Sequence, residues 1–179
     1  MRTRGSGHSG DSAVVPGHRD KYAHVERERR FLMAGLPPAC AGAAARRAEI
    51  TDRYLTGTRL RLRRVSSPGS AEPELKLTQK VPAARPGAVR GLITNFYLSP
   101  AEYGLLAALP GAELAKTRLF FPPYAVDVFR PPRGGLVLAE VELGSDADLA
   151  ACPPAGWPGS GWSQEVTWPD EVRLQPASR

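Results

Sequence analysis

The sequence predicts a mainly β (α+β) chain, an eight-stranded antiparallel β-barrel or tunnel with a few short covering helices. Three observations carry this. Eight short segments with strand character follow one another, at about 23–33, 50–56, 58–65, 73–81, 89–98, 113–121, 124–130 and 136–143. Their separators hold turn chemistry: Thr56-Gly57, Ser67-Pro68-Gly69, Pro122-Pro123 and Arg133-Gly134-Gly135. Within the segments, charged and apolar side chains alternate with the period of two that a strand imposes. Many short strands with few helices build barrels or sandwiches.

The alternation sorts charge onto single faces. In the first segment Glu26, Glu28 and Arg30 share a face. Further on, Arg59, Arg61 and Arg63 oppose Leu60 and Leu62, and Glu74, Lys76, Thr78 and Lys80 oppose Leu75 and Leu77. Lys116 and Arg118 form a fourth row, and Glu140 and Glu142 a fifth, against Val137, Ala139, Val141 and Leu143. One such row is what the solvated face of a half-buried sheet shows. Two features weigh against that reading for the set. Basic rows occupy some strands and acidic pairs others, and the first segment is charged on both faces, because Arg27 and Arg29 alternate with Glu26, Glu28 and Arg30. A strand that is polar on both sides fits a barrel with a polar lumen.

The rest of the chain is organised around these strands. Residues 1–21 offer almost nothing to bury and read as a disordered tail, with His8 and His18 as solvated histidines. Residues 22–174 form the barrel domain and 175–179 a short tail. The Ala-rich stretch from Leu36 to Arg47 reads as a short helix. Ser99-Pro100-Ala101-Glu102 reads as a capped helix start, followed by an apolar stripe of Leu105, Leu106 and Leu109 and a stop at Pro110-Gly111. Asp146 to Ala151 suggests one more helical turn. Trp157, Trp162 and Trp168 sit in a Pro/Gly-rich stretch and are expected to pin it onto the barrel.

Composition sets bounds on function. The chain has 179 residues, 42% hydrophobic and 23% charged, which is ordinary for one soluble domain. No apolar run approaches the roughly 18 residues of a membrane span, and the N-terminus shows no apolar signal region, so a cytoplasmic location is expected. Cys40 and Cys152 read as reduced thiols. A net charge of +6 and a pI near 9.7 point to anionic partners. Nucleic acid is disfavoured, because the aromatics do not interleave with the basic rows as stacking platforms do.

A lumen lined by several Arg and Lys heads needs a polyanion, and guanidinium forks match phosphate oxygens. Two Glu-x-Glu pairs gather four carboxylates, which is costly unless a cation lies between them. Hard oxygen donors of this kind suit Mg²⁺ or Mn²⁺.

The same residues resemble the CYTH family, the triphosphate tunnel metalloenzymes, along roughly residues 23–168. Glu26-Arg27-Glu28-Arg29-Arg30 resembles the family's E-x-E-x-K strand, with arginine for lysine at position 30. Tyr54-Leu55 followed by Arg59-Leu60-Arg61-Leu62-Arg63 resembles its tyrosine-leucine strand and R-x-R-x-R row. Leu77-Thr78-Gln79-Lys80, Lys116-Thr117-Arg118, Val126-Asp127-Val128-Phe129, Ala139-Glu140-Val141-Glu142 and Glu165-Val166-Thr167 follow in the family's order. The resemblance implies a metal-dependent hydrolase of inorganic triphosphate or a small organic triphosphate, bound in a cationic β-tunnel. By it, Glu26, Glu28, Glu140 and Glu142 ligate metal, with Asp127 as a further contributor. Arg30, Arg61, Arg63, Lys80 and Arg118 hold phosphate oxygens, extended by Arg59 and Lys76 of the same basic rows and by Arg90, the arginine kept from the family's R-x-E-x-E strand. Lys80 and Tyr54 are the catalytic candidates, although a tyrosine of ordinary pKa near 10 is a poor base.

Two departures from the family pattern stand out. The R-x-E-x-E strand is here Arg90-Gly91-Leu92-Ile93-Thr94-Asn95, with Leu92 and Thr94 where acids are expected. After Glu165-Val166-Thr167 the tyrosine and asparagine are missing. Both keep a second reading open, a non-catalytic or retuned polyphosphate-binding module. A nucleotidyl cyclase would need a base-recognition element, and none is evident.

Overall fold

The computed structural model describes residues 22–36, 46–82, 90–152 and 162–165, with only the backbone described at 82, 90 and 162–165. Its strands are β1 (His24–Met33), β2 (Arg46–Leu55), β3 (Leu60–Ser66), β4 (Glu74–Pro82), β5 (Arg90–Tyr97), β6 (Gly111–Phe121), β7 (Tyr124–Phe129), β8 (Val137–Glu142) and β9 (Trp162–Glu165). Helix α1 (Pro100–Ala107) follows β5, and α2 (Asp146–Ala151) follows β8. The sheet runs β5-β4-β3-β2-β6-β7-β8-β1, and β5 pairs back onto β1 to close an eight-stranded antiparallel barrel. Strand β9 pairs with the part of the β1 edge that β5 leaves open, with Glu165 opposite Phe31. The tunnel architecture expected from the sequence is the one found.

Closure has a simple cause. Every strand offers one row of large apolar or charged side chains to each side, and antiparallel hairpins put rows of like parity together. The register Glu28↔Glu142, Arg30↔Glu140, Asp52↔Arg63, Arg61↔Thr78, Arg63↔Lys76 and Arg118↔Asp127 carries all these residues to the inner face. Outside, Met33, Phe121, Val126, Val137 and Ala139 form a buried cluster over the β1-β8-β7-β6 wall. Inside, Leu114, Phe129 and Leu138, with Leu32, Tyr54 and Leu136, make an apolar floor to the lumen.

The outward charges of β1 have their own work. Arg27 Nε donates to Asp146 Oδ1 at 2.7 Å, and Arg29 donates to the Cys152 carbonyl at 2.6 Å. These two arginines hold α2 by its first turn and its C-cap. Ser145 caps the helix, accepting from the Asp148 N–H.

Helix α1 starts as the sequence predicts. Ser99 accepts from Glu102 N–H, Glu102 accepts in return from Ser99 N–H at 2.8 Å, and Pro100 stands in the first turn. Its apolar stripe is not buried, however. No α1 residue is buried, and Leu105 is 76% exposed. The helix packs against β3 and β4, with Tyr103, Leu106 and Ala107 half-buried.

The helix expected over Leu36 to Arg47 is corrected at its end. Arg46 and Arg47 belong to β2, paired with Phe120 and Leu119 of β6, and the Arg46 guanidinium lies 4.1 Å above the Phe120 ring. Cross-strand pairing outweighs the helical propensity of the alanine run. The remainder, 37–45, lies outside the described residues, as do the tail of residues 1–21, Cys40, Trp157 and Trp168.

At the start of β6, a Cβ on Gly111 would stand 2.7 Å from the Tyr54 carbonyl oxygen and 3.1 Å from the Arg53 side chain. Backbone cannot yield as a side-chain tip can. Gly111→Ala is expected to destabilise the fold by about 1–3 kcal/mol, read as a lowered denaturation midpoint; an unchanged midpoint would contradict this packing.

Candidate functional site

The lumen opens into a cavity of about 840 Å³. Its wall includes Glu26, Glu28, Arg30, Tyr54, Arg59, Arg61, Arg63, Lys76, Lys80, Arg118, Glu140 and Glu142. These are the sequence-predicted site residues except two. The side chain of Arg90 lies outside the described residues. Asp127 is fully buried and does not line the cavity.

Asp127 is instead clamped from β6. Arg118 grips it with two hydrogen bonds of 2.7 Å, and the Lys116 ammonium donates to it as well. Both carboxylate oxygens are thus engaged behind the wall. Burial lowers the pKa of Lys116, and the nearby Arg118 and Arg63 add to that, against the pull of Glu140 and Asp127.

From Asp127 on β7 a chain of alternating charge links five strands, β7, β6, β8, β1 and β4. Arg118 also donates to Glu140; Glu140 accepts from Arg30 Nε at 3.2 Å; Arg30 donates to Glu28; and Lys80 bonds Glu26 at 2.6 Å and lies 3.5 Å from Glu28. Glu140 would be raised by burial, but Lys116, Arg118, Arg30 and Arg63 overcome this and hold it far below the usual carboxylate range. Glu28 behaves oppositely. Its burial raises its pKa, and Glu140 and Glu26 add to the rise against Arg30 and Lys80.

A second island sits on β2 and β3. Arg63 donates to Asp52 through two bonds of 2.5 and 2.6 Å, with both residues buried. Burial would raise Asp52, yet the Arg63 charge and its paired hydrogen bonds hold the carboxyl down at about 2. Arg61 Nε comes within 3.6 Å of the same carboxylate but is buried without a hydrogen-bond acceptor among the described residues. Its terminal nitrogen reaches Thr78 Oγ1 at 3.4 Å, and Thr78 donates to Asn95 at 2.7 Å. Tyr54 is raised above its ordinary pKa by burial and by Asp52, so at neutral pH its hydroxyl is a donor.

In the ring order β3 stands opposite β8. The arginine row therefore faces Glu140 and Glu142 across the lumen. For Arg59 and Glu142 no ion pair is found among the described residues. No three His, Cys, Asp or Glu side chains there converge as a ready metal cage. Donor chemistry nonetheless suits a hard divalent cation, since Glu28 and Glu142 face each other across β1 and β8 and Glu26 continues the row.

Strand β5 corrects one expectation. Lys80 pairs with Ile93 and Thr78 with Asn95, while Glu26 pairs with Gly91. The lumen positions of β5 are thus 91, 93 and 95, and Leu92 and Thr94 face outward. The conclusion that β5 brings no lumen carboxylate survives, but at positions shifted by one. Sequence reasoning left several wall residues out of the site. Lys116 was recognisable in its row beside Arg118, whereas His24, Asn95, Phe120, Tyr124 and Arg133 carried no signal before the hairpins closed.

No protein-family model and no curated protein matches the chain. Among solved structures, the chain is similar to the Pyrococcus horikoshii OT3 protein PH1819, with 15% identity, a TM-score of 0.51, and coverage of 70% of this chain and 82% of that one. That likeness concerns the fold. It is also similar to a protein called the inorganic triphosphatase NE1496, with 24% identity, a TM-score of 0.47, and coverage of 84% and 90%. A Pyrococcus furiosus protein called Pfu-838710-001 shows 18% identity and a TM-score of 0.47, over 68% of this chain and 80% of that one. The fold and the lumen together define a closed antiparallel tunnel with an arginine wall and a carboxylate wall. No helix among the described residues is long and apolar enough to cross a membrane.

Proposed function

We propose that this tunnel binds the triphosphate of a small molecule and hydrolyses its terminal phosphoanhydride with a divalent cation, Mg²⁺ or Mn²⁺. The observation that carries the reading is the under-neutralised arginine row of β3. Arg61 and Arg63 share one carboxylate, Asp52, and Arg61 Nε is buried with no hydrogen-bond acceptor among the described residues. A buried guanidinium donor left unmade is costly, and phosphate oxygens are the acceptors that fit its fork. The ordered motifs of the tunnel metalloenzyme resemblance support the same reading.

Glu26, Glu28 and Glu142 would hold the cation, and a cation there would offset the burial that raises Glu28, to which Glu140 and Glu26 add. When bound, it supplies charge neutralisation at the phosphoryl oxygens and Lewis acidity. The chain's own residues do the rest. Arg61, Arg63 and Lys76 hold the oxygens in line and spread their charge. Lys80 changes partner from carboxylate to phosphate oxygen as substrate enters. Tyr54, kept protonated, donates to the phosphate and does not act as the base. Water attacks the terminal phosphorus, the bond to the bridging oxygen breaks, the shortened phosphate chain leaves with that oxygen, and the water's proton passes to a phosphate oxygen.

The test is phosphate release from inorganic triphosphate with Mg²⁺ or Mn²⁺. One observation favours a second reading, a binding module without turnover: Glu26, Glu28 and Glu140 are all engaged in ion pairs, and β5 adds no acid. Tight triphosphate binding with no phosphate released would establish that reading in place of the first. Arg61→Ala is expected to weaken triphosphate binding about 10- to 100-fold, the worth of a charge-assisted hydrogen bond, with a smaller change in kcat. Calorimetric titration checks this, and unchanged affinity would remove Arg61 from the site.

A further inference from the structure

The β3-β4-β5 wall of the lumen holds a hydrogen-bond relay whose direction is fixed by its donors and acceptors. Thr78 is fully buried, and its hydroxyl lies 3.4 Å from an Arg61 terminal nitrogen and 2.7 Å from Asn95 Oδ1. A guanidinium donates and never accepts, so toward Arg61 the Thr78 oxygen is the acceptor. The hydroxyl has one proton to give, and among the described residues it gives that proton to Asn95. Asn95 therefore turns its carbonyl oxygen to Thr78, and its two amide N–H donors take the other side of the side chain. A flipped amide would set those donors against Thr78 and strand the hydroxyl proton where solvent does not reach.

Asn95 stands at a lumen position of β5, lines the cavity and is itself exposed. Its cross-strand partner Thr78 is flanked on β4 by Lys76 and Lys80, and Arg61 closes the group from β3. Resting on the triphosphate-binding reading above, we infer that Asn95 is an uncharged anion-binding residue, its amide donating to a phosphate oxygen, with Thr78 as the residue that positions it. The amide adds donors beside Arg61 and the two lysines without adding charge, and these donors act without a cation. A carboxylate at the same place would accept from Thr78 equally well, yet would present an oxygen to the anion in place of the two N–H groups. Asn95 and an aspartate are therefore equivalent toward Thr78 and opposite toward a phosphate.

The experiment titrates inorganic triphosphate calorimetrically, without divalent cation, into the wild-type chain, Asn95→Ala, Asn95→Asp, Thr78→Val and the Thr78→Val, Asn95→Ala double variant. Asn95→Ala removes the donors and is expected to weaken binding about tenfold. Asn95→Asp keeps the shape and the oxygen that Thr78 needs, but sets like charge against the anion, and is expected to weaken binding about a hundredfold or more. Denaturation midpoints of both Asn95 variants should stay near that of the wild type, because the side chain is exposed. Thr78→Val should weaken binding in the wild type more than it does in the Asn95→Ala chain, since it acts through the amide; equal losses in both would remove Thr78 from its positioning role. If Asn95 serves only as the acceptor for Thr78, the order reverses: Asn95→Asp binds like the wild type and Asn95→Ala binds more weakly. That order, or equal affinity in all three chains, overturns the inference while the tunnel reading stands. Triphosphate bound by the wild type only with Mg²⁺ has the same consequence. A wild type that binds triphosphate neither with nor without Mg²⁺ overturns both.

Discussion

Glu28→Gln is expected to lower cation-dependent triphosphate turnover by at least about a hundredfold while the barrel stays folded, and Glu142→Gln is expected to do the same. The two outcomes follow from one environment. Glu28 lies between β8 and the Glu26–Lys80 pair, facing Glu142, where a carboxylate is valuable only as a partner to positive charge. An amide keeps the shape and removes the anion, and loss of an electrostatic contact made in the transition state costs on the order of 10²–10³ in kcat. Stability should move little. Burial, with Glu140 and Glu26 nearby, raises the pKa of Glu28, so the folded state holds that proton more tightly than the unfolded chain. The contribution of this group to stability is therefore greatest at low pH and falls as pH rises through the raised pKa. Replacing it with a neutral amide removes that loss near neutrality, while Arg30 keeps Glu140 as its partner. Turnover with Mg²⁺ or Mn²⁺ and denaturation midpoints at pH 7 are the measurements. Undiminished turnover in both variants would exclude Glu28 and Glu142 from the reacting site.

The charged rows were legible because a strand's period of two leaves an unmistakable trace when charge alternates with leucine or valine, as in Arg59 to Arg63 and Val137 to Glu142. Strand β5 shows where that trace fails. Gly91 to Asn95 carries no charge and little contrast between faces, so motif position alone assigned its parity, one residue out. Only its pairing with Lys80 on one side and Glu26 on the other sets the true face. The surroundings of Asp127 were hidden for a related reason. Its parity placed it inward, but depth along the lumen and the two cations from β6 that enclose it are properties of neighbouring strands. The start of β2 was hidden in an alanine run whose propensity is helical, and its pairing with β6 is non-local. Likewise, the two-faced charge of β1 has two causes, a lumen inside and the docked ends of α2 outside.

Breaking the Asp52–Arg63 pair should give the largest loss of stability in the chain. Asp52 is 1% exposed and Arg63 is 9% exposed, and they are joined by two hydrogen bonds. Asp52→Ala strands the Arg63 guanidinium in the wall beside Arg61 with no carboxylate left, and removing one partner of a buried pair costs about 3–5 kcal/mol. The same pair sets a pH dependence. Burial alone would raise the Asp52 carboxyl, but Arg63 lowers it from its ordinary 3.8 to about 2. A depressed carboxyl stabilises the fold above its unfolded pKa, and that stabilisation is lost as pH falls from about 4 toward 2, a change of about 2 kcal/mol. Denaturant unfolding of the wild type should therefore show stability dropping through this window. Asp52→Asn should flatten part of that drop and start from a lower plateau. Since Arg61 depends on the same carboxylate, the variant should bind triphosphate in proportion to what remains folded: losing Asp52 removes the competitor for the arginine donors, not the donors. A variant as stable as the wild type at pH 7 would show that Arg63 finds another acceptor in the lumen, and that the arginine wall is held by its strands more than by its one carboxylate.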